Sequence, residues 1–181
     1  MEPRMVCFDL ETTNLRGNFG RILVASFVTI GDGDVITYRG DDKKFKKKDL
    51  ADDSKLALAI KEYLERSWCW ISWNGKMFDV PFLNTRLRLA DLEPVEKRMH
   101  IDLMYYARRP NMSLNNSRLD TIAKTFELAE QKTDLTPKEW INAMLLDSKS
   151  IDYIVEHCEQ DVKVLREAFP LLLPFIARVH K

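Results

Sequence analysis

Four carboxylates and one imidazole in this 181-residue chain stand where side chains of their kind are unfavourable unless something pairs with them. Asp9 and Glu11 lie in Cys7–Phe8–Asp9–Leu10–Glu11–Thr12–Thr13, at the end of a very apolar run. Residues two apart on a strand point to the same face, with Cα atoms about 6–7 Å apart. Two carboxylates so placed repel one another and lose hydration, a penalty on the order of several kcal/mol if they are buried and unpaired. A divalent cation between them removes the conflict. A strand that simply ends there, with both groups solvated and Thr12–Thr13 opening a loop, removes it too. Asp79 follows Trp73–Asn74–Gly75–Lys76–Met77–Phe78 at a strand-to-helix junction. There it could face a metal from the carboxyl end of the sheet or serve as the N-cap of the next helix. His157 and Asp161, four residues apart, share one flank of an apolar helical stripe. A carboxylate on that border needs a partner, whereas a lone helical histidine is ordinarily a surface or capping residue.

Positioning these groups requires a strand, a strand-to-helix junction and a long helix, and the hydrophobic pattern supplies all three. Residues 5–10 read as a buried strand, 22–30 as a second and 35–38 as a third, with the turn sequence Gly31–Asp32–Gly33–Asp34 between the last two. Together they predict a three-stranded antiparallel meander. Residues 56–67 have helical spacing, 70–73 form a short strand ending at Asn74–Gly75, and 78–90 form the next helix, with Pro81 in its first turn. A short strand is expected at 100–103, and helices at 118–128 and 137–146. The last helix is predicted from about Ser150 to Phe169, ending before Pro170, with Ile151, Ile154, Val155, Cys158, Val162, Leu165 and Phe169 in one stripe. The expected architecture is an α/β mixed sheet, meander plus parallel strands, flanked by helices in a single domain over residues 1–181.

The three chemistry-bearing segments keep a definite order: D-x-E on the first strand, N-x-x-x-F-D midway and H-x-x-x-D on the last helix. In this they resemble the DEDD superfamily of 3′–5′ exonucleases, especially the proofreading-like exonucleases of family-B DNA polymerase type. Phe8 to Thr12, Asn74 to Asp79 and Tyr153 to Val162 look like that family's three motifs. Gly20 to Leu23, Ile101–Asp102–Leu103 and Lys132 to Trp140 add to the likeness, which covers nearly the whole chain. The resemblance implies a ribonuclease H-like fold and two-metal hydrolysis of phosphodiesters with Mg²⁺ or Mn²⁺. It implies that Asp9 bridges two ions, that Glu11 and Asp161 complete the first, and that Asp79 supports the second. It further implies that Thr12, Asn74 and Phe78 touch the terminal nucleotides. The chain departs from the family at one place. The family carries Tyr four residues before the last Asp or His five before it, and here His157 occupies the Tyr spacing. His157 is then the expected general base, its ordinary pKa of about 6.5 suiting neutral pH better than that of Tyr.

Composition narrows the substrate. With 28 Lys+Arg against 28 Asp+Glu, the chain is unlike a protein that coats duplexes by neutralising many phosphates. Neutrality suits an enzyme that grips a single-stranded 3′ end, and the resemblance implies DNA ahead of RNA. The basic run Lys43–Lys44–Phe45–Lys46–Lys47–Lys48 reads as a solvated loop. The apolar stretch 169–177 contains two prolines and is too short to span a bilayer. Cys7, Cys69 and Cys158 sit in apolar runs and suggest no disulfide framework, so a cytoplasmic setting is expected. Trp68, Trp70 and Trp73 are expected in the core. The rival readings are an endonuclease or ribonuclease on the same fold, and a non-catalytic nucleic-acid-binding subunit of a replication or repair complex. Retention of all four carboxylates argues against the last.

Overall fold

Strand β1 (Met5–Thr12) is the axis around which the protein is built. Its residues Val6, Phe8 and Leu10 are buried in one core and Cys7 in a second core on the opposite face. Strand alternation therefore sends Asp9 and Glu11 to the Cys7 side. The computed structural model describes residues 4–31, 33–131 and 136–176. Residues 1–3, Asp32 of the expected turn, 132–135 of the segment compared above and 177–181 lie outside the described residues.

On one side β1 pairs antiparallel with β2 (Ile22–Thr29), which pairs antiparallel with β3 (Val35–Arg39). On the other it pairs parallel with β4 (Cys69–Ser72), which pairs parallel with β5 (Met99–Asp102). The order β3-β2-β1-β4-β5 is the mixed sheet that the sequence predicts. The β1–β2 register breaks between Glu11 and Thr12: Glu11 faces Val24 but Thr12 faces Ile22, leaving Leu23 as an extra residue. Such a bulge re-aims the strand end at the point where the carboxylates emerge.

Helices α1 (Ser54–Glu65) and α2 (Asp79–Leu89) cover the Phe8 face, burying Leu56, Ile60, Leu64, Phe82, Leu83 and Leu87. Arg86 of α2 grips Asp53 at 2.8 Å, and Asp53 accepts the Ile22 N–H at 2.7 Å, which ties both helices to β2. On the Cys7 face, α3 (Leu119–Thr125) and α5 (Ser148–Ile176) bury Ile122, Val162 and Leu165. Helix α4 (Pro137–Met144) packs Ala143 with Ile151, Ile154 and Cys158 of α5 against Leu23 and Val24.

Two expectations are corrected. Helix α5 does not stop before Pro170 but runs through Pro170 and Pro174 to Ile176. Each proline removes one helical N–H. Both lie on the exposed side, where water can satisfy the freed carbonyls, while Phe169 and Leu172 remain buried and hold the turn in place. Trp68 is 42% exposed rather than core, because it precedes β4, whereas Trp70 within β4 is buried. Trp73 is half-buried and donates its indole N–H to the Ser117 carbonyl at 3.0 Å. The basic run lies in the loop between β3 and α1, with Lys47 bonded to Asp52 and Ser54 at its base. Among the described residues, no helix is long and apolar enough to cross a membrane.

His100 on β5 contacts Ser72 Oγ through Nε2 at 2.7 Å and packs beside Phe8 and Trp70. Burial, with Lys76 adding to it, pushes its pKa down to about 4. The folded state thus favours neutral imidazole, so this stabilisation is complete above the unfolded pKa and is lost as pH falls from about 6.5 through 4. His100→Gln is expected to remove about 2 kcal/mol of the stability that the wild type loses between pH 7 and pH 5. Urea unfolding at both pH values measures it.

Candidate metal centre

The carboxyl end of β1 and the middle of α5 meet at a polar notch in an otherwise apolar interface. Glu11, His157 and Asp161 each place one ligand atom there, all within 4.8 Å of one another. His157 Nε2 lies 3.7 Å from Glu11 Oε1 and 4.0 Å from Asp161 Oδ2. His157 and Asp161 are 7% and 5% exposed, so this is a site within the fold rather than a solvated helix face. The helix brings them together because four residues make just over one turn, about 6 Å along the axis.

Asp9 enters from the same strand face, one alternation earlier. Its carbonyl and its Oδ2 lie 3.5 and 3.7 Å from the Cys158 thiol, the residue next to His157 on α5. Burial, followed by the charges of Asp9 and Glu11, pushes the Cys158 pKa well above its ordinary value, which leaves a protonated S–H to donate to Asp9. Opposite Asp9 in the register is Ser26, whose hydroxyl meets Thr37 Oγ1 at 3.0 Å; Thr37 donates to Glu159 at 2.7 Å. Hydrogen bonds therefore fasten α5 across β2 and β3 beside the carboxylates.

Asp79 arrives from the far side of β1. Of the two readings its position allows, the N-cap is not the one adopted: Phe78 occupies the cap position, and no side chain caps the helix there. Asp79 is instead the first helical residue, 2% exposed, and its Oδ1 accepts the Leu10 N–H at 3.0 Å across 69 residues of sequence. Burial raises its pKa to about 7 against the Leu10 bond, with the charges of Asp102 and Asp161 adding to the rise. Asp79 and Asp161 thus sense one another across the strand end. A Cβ at Gly75 would collide with the Ser72 hydroxyl and approach Asp79 Oδ2 to 3.3 Å, so this junction closes tightly only around glycine.

Of the three expected nucleotide contacts, Thr12 and Phe78 line a groove beside Glu11, and Asn74 lies in the loop before α2. Thr12 is buried and donates its hydroxyl to the Asn14 carbonyl at 2.8 Å. Asn74 holds a left-handed backbone (φ 66°), uncommon for a residue with a side chain. What holds it there is Asp102, 1% exposed at the end of β5, which accepts the N–H groups of Asn74 at 2.8 Å and Lys76 at 3.1 Å. The sequence reading marks Asp102 only as a point of family likeness, although a carboxylate ending a buried strand is the same signal that singled out Asp9. Phe78 is half-buried against Phe82 at 5.8 Å. Residues 10–16, Phe78 and Trp140 enclose a groove of about 670 Å³ that opens beside Glu11. Trp140, at the end of the Lys132–Trp140 segment compared above, lines its wall, although no motif gives it a role.

The donor set fits hard divalent cations, which take carboxylate oxygens first and tolerate an imidazole. The sequence model of the RNase H superfamily matches residues 6–169, and the chain belongs to that superfamily. Among solved structures, the family B DNA polymerase from the hyperthermophilic archaeon Pyrobaculum calidifontis is similar at a TM-score of 0.74 and 16% identity. The match covers 97% of this chain and 25% of that one, so the chain spans a quarter of the polymerase's length. No curated protein matches.

Because the folded state holds Asp79 protonated more readily than the unfolded chain does, metal-free stability falls as pH rises from the ordinary carboxylate range through about 7. Asn at this position can still accept the Leu10 N–H. In EDTA at pH 8, Asp79→Asn is expected to melt about 5 °C or more above the wild type, with the gap closing toward pH 4. Thermal unfolding at the two pH values reads both effects.

Proposed function

We propose that this protein is a divalent-metal-dependent 3′–5′ exonuclease that removes nucleotides from the 3′ end of single-stranded nucleic acid, DNA ahead of RNA. The observation that carries the reading is the convergence of Glu11, His157 and Asp161 within 4.8 Å at the carboxyl end of β1. Asp9 on the same strand face and Asp79 across the strand end add to it. Superfamily membership and the likeness to a DNA polymerase structure support a nucleic-acid substrate and a place beside replication or repair proteins.

In this reading Asp9, Glu11, Asp79 and Asp161 would hold two divalent cations, Mg²⁺ or Mn²⁺. Such a pair, when bound, supplies charge that stabilises the attacking and leaving oxygens of the phosphodiester. The residues do the rest. His157 accepts at Nε2 the proton of the attacking water. Thr12, Asn74 and Phe78 hold the terminal nucleotide, and the buried walls of the notch keep competing water away from the scissile phosphate. Asp102 fixes the loop that aims Asn74 and Phe78.

The test is digestion of 5′-labelled single-stranded DNA and RNA of one sequence, side by side, with Mn²⁺ and with EDTA. Expected are mononucleotides released from the 3′ end, DNA consumed faster, no product in EDTA, and none from folded Asp9→Ala or Asp161→Ala. A 3′-blocked strand cut as fast as an open one would establish an endonuclease or a 5′ enzyme instead. Faster loss of RNA would turn the reading to a ribonuclease.

His157→Ala is expected to lower kcat by about 10²–10⁴-fold, the usual range for a positioned base, while metal-induced thermal stabilisation persists. His157→Tyr is expected to recover part of the activity. Wild-type turnover in the alanine variant, with an unchanged pH profile, would remove His157 from the reaction.

A further inference from the structure

Trp140 stands where the two sides of the protein meet, and nothing in the motif pattern assigns it work. Helix α4 buries only Ala143 fully and leaves Ile141 exposed, and it is also tied by Glu139 to Ser150 and by the Met144 carbonyl to Arg21. Trp140 packs partly on the cluster of Ile151, Ile154 and Cys158, and it also lines the groove beside Glu11. Phe78, also lining that groove, belongs to the other core, where it rests on Phe82. The groove thus has an aromatic side chain from each face of the sheet. Residues 10–16 complete the lining, including Glu11 of the candidate metal centre.

At about 670 Å³ the groove is in the size range of pockets that enclose small organic ligands. Its wall favours an uncharged group over a phosphate as the principal occupant. Glu11 contributes negative charge, and Arg16 is the sole cationic side chain on the groove wall among the described residues. A planar, weakly polar ring suits it, and aromatic side chains stack on any base because every base has a π-face. Continuity with the metal centre fixes which ring: the one carried by the nucleotide whose phosphodiester is cut. We propose that Trp140 is a substrate-positioning residue that stacks on the unpaired 3′-terminal base, opposite Phe78. The inference rests on the exonuclease reading and deepens it. The strand must present its last base unpaired, and the groove accepts that base without reading its identity.

The experiment compares oligodeoxynucleotides ending in a 3′ thymidine or a 3′ abasic residue, with Mn²⁺. The proteins are wild type, Trp140→Leu, which fills the space without a π-face, and Trp140→Phe, which restores one. Base–aromatic stacking corresponds to about 5- to 150-fold in affinity. Wild-type KM is expected to rise within that range on the abasic end, with kcat little changed. Trp140→Leu is expected to raise the thymidine KM part of the way to the abasic value and to narrow the difference between the two substrates, Phe78 supplying what remains. Trp140→Phe is expected to recover most of the preference. A leucine variant with wild-type KM, or with the wild-type ratio between the two ends, overturns the inference and leaves the exonuclease reading standing. A wild-type protein that digests neither substrate overturns both. Melting temperatures of the variants separate a lost contact from a lost fold.

Discussion

Strand β1 is longer than its parallel neighbour, and the site follows from that mismatch. β4 pairs only with Met5 to Cys7, so along that edge β1 continues without a strand partner through Thr12. A main-chain donor left there would be buried and unsatisfied, an arrangement folded proteins almost never tolerate. The Leu10 N–H finds the Asp79 carboxylate instead. That hydrogen bond docks the first turn of α2 against the end of β1, while Asp102 holds the Asn74 loop beside it. On the opposite edge β2 stays paired to the end and adds a bulge at Leu23. β1 therefore presents its last residues between a helix start on one side and a bulged strand on the other.

Side-chain alternation then separates two tasks on a single strand. Val6, Phe8 and Leu10 join the core under α1 and α2, while Cys7, Asp9 and Glu11 change from apolar to acidic along the opposite face. Helix α5 runs over that face and changes in parallel. Val162 and Leu165 cover the apolar part, and His157, Cys158 and Asp161 meet the acidic part. The strand and the helix are matched residue by residue in polarity, and this lets so many ionisable groups sit inside an interface that also holds the domain together. Asp79 shows the tension that remains, because burial makes its proton hard to remove. A nearby cation would reverse that preference.

Most of the fold was legible because it is written in periodicities. The apolar run of residues 5–10 and the helical stripe from Ile151 to Phe169 both survive folding, with the strand extended to Thr12 and the helix beginning at Ser148. The end of α5 was not legible, since proline is a helix breaker by local rules and only the packing of Leu172 shows why the helix continues. Asp79 was legible as a carboxylate at a junction but not as the acceptor for Leu10, because that partner lies 69 residues away. Trp68 looked like its neighbour Trp70, yet it lies just outside the strand that buries the latter. Asp102 and Trp140 were hidden for different reasons. The first acts through backbone N–H groups that no motif encodes, and the second lines a groove made by segments distant in sequence.

The placement of Cys158 has a consequence for observing the molecule in motion. Its thiol is wholly enclosed between α5 and β1, beside the candidate metal ligands, and burial together with the neighbouring acids keeps it protonated. A thiol in that condition does not react with alkylating agents, because the thiolate is the nucleophile and access is closed. Labelling can proceed only when helix and strand part. The rate at which Cys158 is modified is thus a clock for opening of the site, and Cys7, buried on the same strand, provides a second reading nearer the middle of the sheet. The protein carries natural reporters of its own breathing, at the interface where strand and helix must stay together.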